Sequence, residues 1–225
     1  ARAAAWRRET VAPGRRVLGI FGQIKPKKGG LFFLEALAAS GLADRFHLLF
    51  VGDLGEEVTA WLAERGAAVA HTALPHADRY ELLSRYPACD LVVLPSFYDG
   101  MPNVLIEALA LGVPPLAART GGMADLLHDG DSAFLFAPGD DEGCRRALAR
   151  AGECAAEDLA AMGARCRRLA EARLGHDGER DRYLAILRDT LAGRRPSVSA
   201  ARAEITLDQQ PFAAPAAPRV SEEDE

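Results

Sequence analysis

Residues 90–112, DLVVLPSFYDGMPNVLIEALALG, constrain the fold more than any other part of the chain. Asp90 to Leu94 is a short Val- and Leu-rich run, the pattern of a strand buried on both faces. Pro95 to Met101 gathers Pro, Ser, Asp and Gly, so the backbone turns there. From Asn103 to Leu111 the apolar residues Val104, Leu105, Ala108 and Leu111 keep helical spacing, and Gly112 supplies a stop. Pro102 falls where a first helical residue is expected, a position that tolerates a missing N–H. The free N–H groups of such a helix start attract phosphate or other polar oxygens. Two carboxylates frame the loop: Asp99 within it, and Glu107 about one turn into the helix. A plain strand–helix unit with an acidic loop accounts for this pattern equally well.

The same alternation runs along most of the chain. Apolar runs at 17–21, 46–51, 67–71, 90–94, 115–118 and 133–136 read as strands. Helical patterns fall between them at about 31–39, 56–65, 77–86, 103–111 and 123–127. From Asp140 to about Ala192 the pattern is helical, with breaks expected near Gly152, Gly163 and Gly175. Six strands alternating with helices predict an α/β fold: a doubly wound, parallel, six-stranded Rossmann-like sheet with helices on both faces. A helical C-terminal segment and a disordered tail follow. In such sheets ligands bind outside the carboxyl ends of the strands. The polar, Gly-containing loops after Phe21 and after Leu94 both lie at carboxyl ends, so they should open on one side. Residues 1–14 read as a linker or the end of a preceding domain, 15–192 as the domain itself. Residues 193–225, with four prolines and the acidic end SEEDE, read as the disordered tail.

Composition narrows the function classes. A net charge of −5 and a pI of about 5.6 give no general footprint for nucleic acid. No apolar run reaches the roughly 18 residues of a transmembrane helix, and ARAAAWRRET lacks the apolar core of a signal peptide. The first residue is Ala rather than Met, which suits a piece of a longer protein. Cys89, Cys144, Cys154 and Cys166 form no CxxC pair and no metal spacing. They read as reduced, packed thiols, and a cytoplasmic location, free or at the inner membrane face, is expected. Asp129-Gly130-Asp131 reads as turn chemistry rather than a metal site.

One loop stands out by composition. The chain has 27 Lys plus Arg, and its only three lysines, Lys25, Lys27 and Lys28, fall within the loop GQIKPKKGG. A solvated basic loop is one reading. The other is a flexible cationic clamp on phosphate, beside glycines that allow close backbone approach.

Taken together, these motifs resemble the retaining, nucleotide-sugar-dependent glycosyltransferases of the GT-B fold, the glycosyl transferases group 1 family. The resemblance covers about residues 16–190 and matches the C-terminal, donor-binding half of such an enzyme. Pro95-Ser96, Asp99-Gly100 and Glu107 stand where that family has Pro-Ser, Glu-Gly and a second Glu. Lys28-Gly29 matches its Lys-Gly, Gly22 matches a Gly, and Gly121-Gly122 resembles its Gly-Gly turn. Gln23 replaces the usual Arg, and Asp99 the usual Glu. The resemblance implies that Gly22, Gln23 and Lys28 hold the donor's diphosphate and that Glu107 bonds the ribose hydroxyls. It implies that Asp99, as the catalytic acid, and the backbone of Met101 and Asn103 hold the sugar hydroxyls, with Gly100 and Val104 alongside. Leu74 would present backbone to the nucleotide base. It further implies a nucleotide-diphosphate sugar donor, an acceptor, a partner N-terminal GT-B domain in the same or another chain, and neither cofactor nor metal.

Rival nucleotide folds fit less well. A dinucleotide-binding turn needs Gly-x-Gly-x-x-Gly after the first strand, and Gly19-Ile-Phe-Gly22-Gln-Ile-Lys25 fails it. A nucleoside triphosphatase needs Gly-Lys-Ser/Thr, and Gly29-Gly30-Leu31 fails that. A non-catalytic module of the same fold, binding nucleotide-sugar or a protein partner, is the alternative left by the replacements at Gln23 and Asp99.

Overall fold

The computed structural model describes residues 2–194. These divide into two compact units, with the boundary between Asp181 and Arg182. The first unit is built on six strands: β1 (Arg16–Phe21), β2 (Phe46–Val51), β3 (His71–Leu74), β4 (Leu91–Leu94), β5 (Pro115–Ala118) and β6 (Phe134–Phe136). They are parallel throughout and lie in the order β3-β2-β1-β4-β5-β6. That order reverses direction between β1 and β4, and the loops leaving a sheet at such a switch enclose a crevice. The central strands are buried along nearly their whole length, which a parallel sheet covered on both sides requires.

The helices are α1 (Arg2–Thr10), α2 (Gly30–Ala39), α3 (Gly55–Arg65), α4 (Arg79–Arg85), α5 (Asn103–Leu111), α6 (Gly121–Leu126), α7 (Asp141–Glu153), α8 (Ala156–Leu174) and α9 (His176–Leu191). Helix α2 packs with α3 and α7, whereas α5 packs with α8, and α1 with α4. These are the two layers of a doubly wound sheet. Phe33, Leu34 and Leu37 of α2 and Leu105, Ala108 and Leu109 of α5 are fully buried, so both layers contribute to one core.

Residues 2–10 are helical, Arg7 forks onto Asp90 at 3.0 and 2.7 Å, and Asp90 in turn accepts from Val17 N at 2.7 Å. Three local expectations are corrected. The third strand starts at His71 rather than at residue 67, because residues 66–68 close a tight 3₁₀ turn after α3. Pro102 is not a first helical residue; its extended backbone (φ −70°, ψ 137°) caps α5, and its carbonyl accepts from Leu105 N at 3.0 Å. Helix α8 passes Gly163 without a break. A Cβ there would strike the carbonyl oxygen of Gly112, so this glycine serves close packing of α8 on the end of α5.

The second unit is described over residues 182–194. The end of α9 is held by its own contacts, with Thr190 Oγ1 donating to Ile186 O at 2.9 Å and Arg194 paired with Asp189 at 2.8 Å. The expected disordered tail, beyond Gly193 and Arg194, lies outside the described residues. Among the described residues no helix is long and apolar enough to cross a membrane.

Candidate functional site

Strands β1 and β4 are hydrogen-bonded neighbours, so the lysine loop and the acidic loop leave the sheet side by side. Between them lies a cleft of about 350 Å³. Gly22, Gln23, Lys25, Lys27 and Lys28 form one wall; Pro95, Ser96, Asn103 and Val104 form the other. The lysine loop is ordered by its own backbone. Lys28 N bonds Lys25 O at 2.8 Å and Gly29 N bonds Pro26 O at 2.9 Å, making a 3₁₀ turn that ends on Gly29 at φ +71°. Gly29 must be glycine for a second reason: a Cβ would run into the carbonyl oxygen of Pro95. The two loops are then tied directly, since Phe97 N donates to Lys27 O at 3.0 Å.

Across this junction Lys28 Nζ donates to Asp99 Oδ2. The Asp99 side chain is 15% exposed and that of Lys28 34%, so the pair sits at the rim of the cleft rather than in open solvent. A third loop supports Asp99 from behind. Gly122 N bonds Gly100 O at 2.6 Å, and Gly121 (φ +51°) lies so close to Asp99 O that no side chain fits. The Gly-Gly pair is therefore the start of α6, with backbone packed under the acidic loop.

Helix α5 begins at the cleft. Its Leu105 and Ile106 N–H groups bond Pro102 O, while the N–H groups of Asn103 and Val104 belong to the first turn, which has no intrahelical acceptor. Glu107 follows Asn103 and Val104 by four and three residues, hence on the same helix face. Its carboxylate is partly buried, and Oε2 accepts from Tyr86 Oη at 2.7 Å. Tyr86 is fully buried and its ring stacks on Phe21, with centroids 4.2 Å apart and planes at 14°. Burial, and then the hydrogen bond and charge of Glu107, push the phenol's pKa far above its ordinary value.

The structure thus brings together Gly22, Gln23, Lys28, Asn103 and Val104 as cleft lining, with Asp99 on Lys28 and with Gly100 and Met101 against Gly122. Glu107 and Leu74 are not among the residues that line the cleft. Leu74 ends β3, two strands from β1, and its carbonyl accepts from Gly52 N at 3.1 Å. The Asp129–Asp131 turn is occupied by arginines: Arg150 pairs with Asp129 at 2.9 Å and Arg165 with Asp131 at 2.9 Å.

Residues 15–153 match the model of the glycosyl transferases group 1 family. The chain belongs to that family. A D-inositol 3-phosphate glycosyltransferase of Stackebrandtia nassauensis is 34% identical over 157 residues, covering 64% of this chain and 35% of the relative. The chain thus spans about a third of the length of the curated relatives it matches. Among solved structures, the C-terminal domain of a glycosyl transferase group 1 family protein (LpcC) of Francisella tularensis superposes with a TM-score of 0.64 at 21% identity. That match covers 78% of this chain and 94% of that one. Anabaena HepE, solved in complex with UDP and glucose, superposes with a TM-score of 0.64 at 24% identity, over 76% of this chain and 47% of its own. These likenesses place the sheet of this group 1 chain in the GT-B fold.

Sequence reasoning missed Tyr86 in this group 1 domain. It closes the helical pattern before β4, and nothing local distinguishes it from a core aromatic. Only the folded chain brings it to Glu107, 21 positions away.

Proposed function

We propose that this chain is the donor-binding half of a glycosyltransferase that moves a sugar from a nucleotide-diphosphate donor to an acceptor with retention of configuration. The observation that carries the reading is the convergence, at the β1/β4 switch, of a three-lysine loop and the open first turn of α5 on one cleft. In sugar transfer the bond from the anomeric carbon to the diphosphate oxygen breaks, and its electron pair leaves with the diphosphate. The acceptor oxygen bonds the anomeric carbon and gives its proton to the departing diphosphate oxygen. Negative charge therefore grows on the leaving group, and preorganised cations and N–H groups stabilise it. Lys28, with Lys25 or Lys27 supplying the charge that Gln23 lacks, and the N–H groups of Asn103 and Val104 serve that role. Asp99 and the backbone of Gly100 and Met101 hold the sugar hydroxyls, and Glu107 the ribose.

On this reading residues 15–192 are the donor domain, and an N-terminal GT-B domain in the same or another chain supplies the acceptor site. The unpaired thiols support a cytoplasmic setting. Cys89, Cys144 and Cys166 are buried, and burial pushes the last two up to about 12. Equilibrium dialysis of the chain against UDP-glucose, GDP-mannose and ADP-glucose tests the reading. One of them should bind more tightly than its own nucleoside diphosphate; retention of none contradicts the proposal.

A further inference from the structure

Glu107 is a flexible side chain asked, in the proposed site, to hold ribose hydroxyls in one orientation. A glutamate has three rotatable bonds, so an unsupported carboxylate samples many directions, and loosely held groups bind poorly. Here one of its oxygens is already spoken for. Tyr86 opens a short 3₁₀ turn (Tyr86–Ala88) after α4, is wholly buried, and donates its hydroxyl to Glu107 Oε2 at 2.7 Å. That bond restrains the carboxylate through Oε2 and does not engage Oε1. The phenol itself cannot swing away, because its ring is stacked on Phe21. Phe21 is the last residue of β1, it lines the cleft, and the next residue is Gly22 of the lysine loop. One buried ring thus lies between the loop on the phosphate side and the carboxylate on the ribose side.

We propose that Tyr86 is a positioning residue for nucleotide binding: its hydroxyl orients Glu107 so that Oε1 receives the hydroxyls of the donor's ribose, while its ring seats on the strand end that carries the phosphate loop. The proposal rests on the reading of the cleft as a nucleotide-sugar site. Tyr86 does not touch the ligand; it acts through Glu107. Because the phenol stays protonated far beyond neutral pH, it remains a donor throughout the working range. A bond made only to satisfy a partly buried carboxylate would support folding alone, and the two roles separate in a binding experiment.

The experiment compares the unaltered chain with Tyr86→Phe, Glu107→Gln and the double variant. Phenylalanine keeps the stacked ring and removes only the hydroxyl. Calorimetry is run with UDP, GDP and ADP and with their 2′,3′-dideoxy forms. For the nucleotide that binds best, Tyr86→Phe should weaken the ribonucleotide about tenfold, the scale of one charge-assisted hydrogen bond, and leave the dideoxy form unchanged. The double variant should bind like Glu107→Gln alone, since the charged acceptor that Tyr86 orients is already gone. Because Gln removes the unpaired charge that Tyr86→Phe leaves behind, that comparison also holds if the single phenylalanine variant folds poorly. Equal weakening of ribo and dideoxy forms, or additive losses in the double variant, would overturn the positioning role while the site reading stands. If the unaltered chain binds ribo and dideoxy forms alike, the ribose assignment of Glu107 fails first, and the proposal with it.

Discussion

Lys28 and Asp99, 71 positions apart in sequence, meet as an ion pair at the rim of the cleft. The pair joins the loop after β1 to the loop after β4, beside the backbone bond from Phe97 N to Lys27 O. The proposed catalytic acid therefore holds the proposed phosphate cation. On the proposed function, a diphosphate in the cleft would compete with Asp99 for the same ammonium.

This competition makes a signed prediction. Asp99→Asn should raise the affinity of the chain for a nucleoside diphosphate several-fold, about the scale of a rim ion pair, because Lys28 is released. In the complete enzyme the same variant should abolish sugar transfer. Calorimetry and a turnover assay on the one variant check both halves. Weaker diphosphate binding would instead mean that Asp99 holds Lys28 in its binding position.

The glycine at the loop junction should be hard to replace. Gly29 has φ +71°, and a Cβ would meet Pro95 O; Gly14 has φ +84° but nothing within 4 Å of a Cβ. Gly14→Ala therefore bears only the backbone cost, about 1 kcal/mol. Gly29→Ala adds a backbone clash and should cost about 2–4 kcal/mol. Thermal melts of the two variants test the difference, and equal melting temperatures would contradict the loop packing.

His47 offers a pH test remote from the cleft. It is buried, its Nε2 lies 2.9 Å from Thr72 Oγ1, and Trp6 packs edge-on against it at 5.9 Å. Burial first, then the charges of Arg15 and His71, lower its pKa below the ordinary 6.5. The unfolded chain then takes up the proton before the folded one does. The contribution of His47 to stability is complete above about pH 6.5 and is lost as pH falls through its lowered folded value. His47→Gln should flatten the fall in melting temperature between pH 7 and pH 5. An unchanged slope would remove His47 from the acid response.

Much of this architecture was legible before folding, for identifiable reasons. Strands β1, β2, β4, β5 and β6 are buried on both faces, so each is written as a plain apolar run. The edge strand β3 is only half covered, carries His71 and Thr72, and was expected too early. Helix α1 has no apolar stripe; it docks through Trp6 packing on His47 and Arg7 reaching Asp90, relations no local pattern encodes. The lysine loop is readable from its unusual composition, and the Asp99 loop from its resemblance to the group 1 motif. The Lys28–Asp99 pair and the Tyr86–Glu107 bond are not, since each depends on which strand ends become neighbours.

The most direct test of the central claim is a calorimetric titration of the chain and its Lys28→Ala and Lys27→Ala variants with UDP, GDP and ADP at low and at physiological salt. If the cleft is a diphosphate site clamped by Lys28, one nucleotide binds the unaltered chain. Lys28→Ala then weakens it about 10- to 100-fold, as loss of a charged hydrogen bond predicts, and Lys27→Ala weakens it less. Equal affinities for the two variants, or no binding of any nucleotide by the unaltered chain, would contradict the claim.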